Sequence, residues 1–187
     1  MGIELARAAS RLGHQVDLVC GPCSVAVPHN RRIRAVAVTT ALEMRKEIHR
    51  VFPRVDMVIM ASAVTDFRSE RLSSHKIEKT RAEASLLKLV PNPDILAELG
   101  KRKGDRMLVG FSAETRNVTK NASSKLRLKN LDFIVANRVG GKNSAFGSIK
   151  NKVVVLAKDG TLTAFPTMSK RTLARKLITM FLRAKCE

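Results

Sequence analysis

Along the chain, apolar positions recur first at helical spacing and then in short runs separated by polar, glycine- and proline-marked breaks. Glu4–Leu12 reads as a helix, with Gly13 in the position that commonly ends one. Val16–Cys20 is a short apolar run and Ile33–Val38 alternates apolar with polar, so both read as strands, separated by a loop holding Pro22 and Pro28. Thr39 or Thr40 caps a helix over Ala41–Val51 that turns Leu42, Ile48 and Val51 to one side. The next strand is Met57–Met60. It runs into Ala61-Ser62-Ala63-Val64, a lone Asp66, and a polar loop with no regular apolar period that ends in Lys76-Ile77-Glu78-Lys79.

The second half continues the alternation. Ser85–Val90 is a strand stopped by Pro91-Asn92-Pro93, and Asn92 or Asp94 caps a helix from Pro93 to about Arg102. Met107–Phe111 and Asp132–Ala136 are strands, and a helix between them runs from Asn117 to Leu128. Gly140–Ser144 is a loop, and Lys158-Asp159-Gly160 turns Val153–Ala157 back into Leu162–Phe165 as a hairpin. Ser169 caps a last helix that buries Leu173, Leu177, Ile178 and Phe181. Strand–helix–strand units of this length predict a single α/β domain, Rossmann-like and doubly wound, with a mainly parallel sheet and a C-terminal hairpin and helix. No internal repeat and no linker interrupts it.

Composition narrows the partners. The 187 residues carry 35 Lys and Arg against 16 Asp and Glu, a net charge of +19. Such a balance raises nucleic-acid binding first. The basic residues are spread over the chain with no block of five or six, however, and aromatics make up 4% with no Trp or Tyr to stack on bases. A basic nucleic-acid-binding α/β protein is therefore the alternative reading. No apolar run approaches the roughly 20 residues of a membrane span, and no basic-then-apolar leader opens the sequence; the expected location is cytoplasmic. Cys20-Gly21-Pro22-Cys23 looks like the redox pair of a thioredoxin, but that chemistry needs a helix starting at the motif to lower the first thiol's pKa. Here Ser24–Pro28 reads as extended, so Gly21-Pro22 is read as a strand-ending turn. No second Cys pair completes a zinc site.

Three strand ends turn polar at what the topology makes one edge: Ala61–Asp66, Gly110–Thr115 and Ala136-Asn137. Open α/β sheets place ligands just beyond the carboxyl ends of their strands. Asn92–Ile95 adds a helix N-terminus suited to a phosphate or a polar base edge. Lys76, Lys125 and Lys129 add cations, the last two one helical turn apart. The sum is a cationic cleft for a triphosphate and a second anion. Taken singly, each feature has a plainer reading: Asp66 as a turn cap, Glu114 as a surface carboxylate near a helix start, Lys125 and Lys129 as a solvated face, Phe111 as core. Neither a Walker loop nor G-x-G-x-x-G is present.

Taken in order, the segments are specific. Ala61–Phe67, Lys76–Lys79, Asn92–Ile95, Val109–Thr115 and Lys129 through Asn137 resemble the phosphopantothenoylcysteine synthetase family, of the bacterial CTP-using type often fused behind a flavin-dependent decarboxylase. Gly21-Pro22 with Ser24, and Thr40–Met44, fit the same pattern. The resemblance implies a ligase of coenzyme A synthesis that joins 4′-phosphopantothenate to cysteine through an acyl-cytidylate made from CTP. It further implies that Met60, Ala61, Ser62 and Asp66 hold cytidine and ribose, with Pro93, Asp94, Ile95, Leu96 and Phe111 around them. Lys125 and Lys129 would meet the triphosphate, with Mg2+ neutralising the rest. Lys76 would be catalytic, on a loop closing over the acyl-cytidylate, and Asn137 would lie on the substrate side. No flavin and no protein-held metal are implied for this domain. The implied partners are a second copy of the chain, joined at the hairpin 153–165, and a flavin-dependent phosphopantothenoylcysteine decarboxylase. The family opens with a strand and a segment ending S-S-G-x-M-G, of which Met1-Gly2 is the counterpart here. The expectation is thus one domain over residues 1–187, truncated at its N-terminus, with part of the phosphopantothenate pocket lying in the segment before it.

Overall fold

The computed structural model describes residues 1–71, 87–114, 117–138 and 149–186. Its centre is a five-stranded sheet. Strands β3 (Met57–Met60), β6 (Met107–Glu114) and β7 (Phe133–Arg138) run parallel, and β8 (Lys150–Ala157) and β9 (Leu162–Ser169) continue it antiparallel as a hairpin, in the order β3-β6-β7-β8-β9. Strands β1 (Val16–Cys20) and β2 (Ile33–Ala37) pair in parallel with each other as a separate two-stranded sheet.

Residue alternation along the central strands divides the core in two, because successive strand side chains point to opposite faces. Met107 and Val109 of β6, Phe133 and Val135 of β7, and Val153, Val155 and Ala157 of β8 pack on one face. They meet helix α1 (Gly2–Arg11) and helix α5 (Lys170–Cys186), which contributes Leu173, Leu177, Ile178 and Phe181. The Phe181 ring lies 5.1 Å from that of Phe133. The intervening residues Leu108, Ile134, Ala136 and Leu156 face the other way. There they are covered by α2 (Ala41–Val51), α3 (Ile95–Lys101) and α4 (Val118–Leu128). Burying each large apolar side chain contributes about 1.5–3 kcal/mol. The result is the doubly wound α/β arrangement the sequence predicts.

Local signals set the element ends. Thr40 closes a capping box on α2: its hydroxyl accepts from the Glu43 amide at 3.1 Å, and the Glu43 carboxylate accepts from the Thr39 and Thr40 amides. Gly13 after α1 takes φ +96°, a conformation that favours glycine. Ser169 caps α5, its hydroxyl accepting from the Thr172 amide at 3.1 Å.

Four local expectations differ from the structure. Leu42 is exposed, and α2 instead buries Met44, Ile48 and Val51. The segment after Asp66 forms a short strand, β4 (Phe67–Ser69), paired antiparallel with β5 (Leu89–Pro91). The observed β5 reaches Pro91, while the predicted strand's start at Ser85 lies outside the described residues. Helix α3 begins after Asp94, so Pro93 lies outside it.

Candidate functional site

At the carboxyl edge of β3, β6 and β7 lies a cleft of about 470 Å³, where open α/β sheets carry their ligands. One wall follows β3. Met60 ends the strand, and the chain then runs through Ala61 and Ser62 to Asp66, all lining the cleft. Small side chains keep this wall close to the backbone. Ser62 Oγ donates to Met44 Sδ at 3.5 Å. Asn92 fixes the far end of the segment, its backbone N–H donating to the Asp66 carbonyl at 2.7 Å and its Nδ2 to the Thr65 carbonyl at 2.9 Å. Asn92 is thus a clamp on the Asp66 wall, and the cap of α3 is Asp94, whose carboxylate accepts from the Ala97 amide at 3.0 Å.

Pro93, Asp94, Ile95 and Leu96 form the second wall. Ile95 and Leu96 are anchored in the core while Asp94 remains exposed. The third wall comes from the end of β6, where Phe111 is half-buried at the cleft. The plain reading of Phe111 as core is too simple. Asn137 of β7, Lys125 in the last turn of α4 and Lys129 at its C-cap complete the lining. Every described residue that the resemblance assigns to nucleotide or substrate therefore meets in one cleft. Lys76 lies outside the described residues.

Both cleft lysines on α4 are tethered by carboxylates. Lys125 Nζ donates to Glu114 Oε1 at 2.6 Å, and Lys129 Nζ lies 2.8 Å from Asp94 Oδ2. Glu114 is not the surface carboxylate its position near a helix start suggested; it is 8% exposed. Ser112 Oγ also donates to its Oε1, and Asn121 Nδ2 donates to its Oε2 at 2.9 Å. Burial pushes the Glu114 carboxyl up. The hydrogen bonds from Lys125, Ser112 and Asn121, with the Lys125 charge, outweigh that and lower it to about 2. Asp94 follows the same logic: burial raises its pKa, while Lys129 and the α3 amides bring the balance below the ordinary range. The carboxylates are charged at neutral pH and hold both lysines in place.

Two lining residues escaped the sequence reading, Asn151 and Lys170; a third, Met1, belongs to the counterpart of the S-S-G-x-M-G segment. Asn151 is 9% exposed and breaks the apolar alternation of β8, a signal that could have singled it out. Lys170 carried only the weak hint of following the helix-capping Ser169. Both reach the cleft because the β8–β9 hairpin, pairing Lys150 with Ser169, returns to the edge where β7 ends.

Among the described residues no group of three or more His, Cys, Asp or Glu side chains could hold a metal ion, and no helix is long and apolar enough to cross a membrane. Mg2+ characteristically binds through one or two carboxylates plus substrate phosphates. With Asp94 engaged by Lys129, Asp66 is the other carboxylate lining the cleft that could meet such a cation.

Residues 1–184 match the family model of the DNA/pantothenate metabolism flavoprotein C-terminal domain. The chain is 40% identical over 170 residues to the coenzyme A biosynthesis bifunctional protein CoaBC of Bacillus subtilis, covering 91% of this chain and 41% of that protein. It is 38% identical over 185 residues to a cysteine/cysteine sulfinic acid decarboxylase of an unknown prokaryotic organism, covering 96% and 51% respectively. The chain thus spans about half or less of these relatives. The crystal structure of the C-terminal domain of CoaBC superposes with a TM-score of 0.80 at 29% identity, covering 99% of this chain and 82% of that one. The DNA/pantothenate metabolism flavoprotein from Streptococcus pneumoniae shares the fold with a TM-score of 0.78 at 15% identity over 100% of this chain and 86% of that one. On its matched length and its relatives, the chain belongs to the DNA/pantothenate metabolism flavoprotein C-terminal domain family.

Proposed function

We propose that this domain is a CTP-dependent phosphopantothenate–cysteine ligase of coenzyme A synthesis. The observation that carries the reading is the cleft itself: small and apolar residues such as Ala61 and Phe111 line it together with Lys125 and Lys129. A carboxylate is a poor acyl donor until its oxygen becomes part of a good leaving group. The 4′-phosphopantothenate carboxylate oxygen attacks the α-phosphorus of CTP and expels pyrophosphate, giving an acyl-cytidylate. The cysteine amine then attacks the acyl carbon, CMP departs with the bonding pair, and the nitrogen loses a proton as the amide forms.

In this reading Met60, Ala61, Ser62 and Asp66 hold base and ribose against Pro93–Leu96 and Phe111. Lys125 and Lys129 stabilise charge developing on the phosphoryl oxygens, a task for which prealigned cations suit a sheltered site. Mg2+ entering with the triphosphate supplies the remaining neutralisation. Asn137 faces the substrate side, and Lys76 closes over the acyl-cytidylate. A second copy docks on the hairpin 153–165, where Leu162 is exposed, and a flavin-dependent decarboxylase consumes the product.

The test is pyrophosphate release from CTP that requires 4′-phosphopantothenate, followed by CMP release that requires cysteine. Lys76→Gln should retain CTP binding and block conversion of the acyl-cytidylate. Pyrophosphate release at the same rate without 4′-phosphopantothenate would overturn the assignment. Normal turnover by Lys76→Gln would remove that residue's role.

A further inference from the structure

The ligase reading leaves Cys20-Gly21-Pro22-Cys23 unused. The structure holds the two sulfurs 3.5 Å apart, each thiol also donating to a local carbonyl at 3.3 Å, Cys20 to Gly21 and Cys23 to Val25. No helix follows the motif among residues 21–32, so the helix N-terminus that activates a thioredoxin-type thiol is missing. Burial pushes the Cys20 thiol up, and the hydrogen bond and charge of Cys23 act in the same direction. Neither feature favours the thiolate that a catalytic reductase needs. The geometry of the pair suits a different role, because a bond of about 2.05 Å needs the sulfurs to close only a short gap between two residues of one tight turn.

We infer that Cys20 and Cys23 are a dithiol modification site, converted reversibly to an intramolecular disulfide by small-molecule disulfides. Cys23 is exposed and Cys20 only partly so, which orders the steps. The Cys23 thiolate attacks one sulfur of the small disulfide, forming a mixed disulfide and releasing one small thiolate. Cys20 gives up its proton, its thiolate attacks Cys23 Sγ, and the second small thiol leaves. Two protein thiols are oxidised and one disulfide is reduced to two thiols. A small thiol in excess runs the sequence backwards. The turn carrying the pair is one residue removed from the cleft: a Cβ on Gly21 would lie 3.8 Å from the Met44 methyl, and Met44 Sδ accepts the hydrogen bond of the cleft residue Ser62.

The test needs no nucleotide, so its outcome is separate from that of the ligase assay. A Cys186→Ser variant, which keeps only this pair, is incubated folded with oxidised glutathione, quenched with acid and weighed intact. The expected result is loss of two hydrogens, loss of both titratable thiols, no retained adduct, and full recovery with excess dithiothreitol. Cys20→Ser in the same background should instead trap glutathione on Cys23. Peptide mapping of the oxidised wild type should find the bridge inside the peptide holding Cys20 and Cys23, which covers the case of a Cys186→Ser variant that fails to fold. Stable glutathione on Cys23 beside a free Cys20 would overturn the inference. So would two free thiols under conditions that fully modify the Cys20→Ser variant, or a wild-type bridge to Cys186.

Discussion

Lys125 Nζ and Glu114 Oε1, 2.6 Å apart, join the cleft to the core: the lysine is 45% exposed by its side chain and the carboxylate 10%. The cation lines the cleft while its counter-ion, shared with Ser112 and Asn121, lies outside the lining. Lys129 and Asp94 form a second pair with the exposures reversed, the lysine 28% exposed by its side chain and the carboxylate 50%. Lys125, one of the proposed phosphate contacts, is thus held by Glu114, a carboxylate that does not line the cleft.

Replacing Glu114 by Gln removes the charge that anchors Lys125 while conserving shape. The expected loss of stability is about 1–3 kcal/mol, the scale for disturbing a buried hydrogen-bonded group. Urea unfolding of the variant beside wild type measures it, and superimposable transitions would show that the cluster is not held as described.

The same carboxylate gives an acid-sensitivity signature. Its folded pKa, about 2, lies below the ordinary glutamate value of 4.5, so its contribution is fully present above about pH 4.5 and is lost as pH falls toward about 2. Melting temperatures of wild type should therefore fall more steeply than those of Glu114→Gln across that window. Parallel curves would contradict the depressed pKa.

Asp94 does two jobs that two substitutions separate. Asn is as good an N-cap as Asp, so Asp94→Asn should keep α3 capped while releasing Lys129. Asp94→Ala loses the cap as well and should cost about 1 kcal/mol more. Thermal melts of the pair read the cap; equal melts would place the capping elsewhere.

Gly100 in α3 is where the backbones of α3 and α4 meet. A Cβ there would lie 2.0 Å from the Lys129 carbonyl oxygen, whereas at Gly110 it would meet the side-chain ends of Leu131 and Leu96 at 2.8 and 3.0 Å. Gly100→Ala should destabilise by on the order of 1–3 kcal/mol and shift Lys129. Gly110→Ala, facing side chains that can move, should cost less. The reverse ranking in chemical denaturation would refute this packing.

The sequence made the layered fold legible because burial on two faces leaves periodic traces, as in Leu173, Leu177, Ile178 and Phe181. The cleft residues were legible as an ordered series of motifs, not from periodicity. What stayed hidden was decided by pairing at a distance. Phe67–Ser69 becomes a strand only because Leu89–Pro91 lies beside it. Glu114 is buried because Asn121 and Lys125 fold back over it. Asn151 and Lys170 reach the cleft only through the antiparallel return of β8 and β9.

The central claim, a cytidine triphosphate site at the β3–β6–β7 edge, is tested most directly by calorimetric titration of the four nucleoside triphosphates with Mg2+ into the folded protein. CTP should bind more tightly than ATP, GTP or UTP, and Lys129→Met should weaken CTP while leaving cytidine unchanged. No heat at millimolar CTP, or equal affinity for all four, would contradict the claim. Tight binding of DNA or RNA that falls steeply with salt would then assign the +19 charge to a nucleic-acid partner.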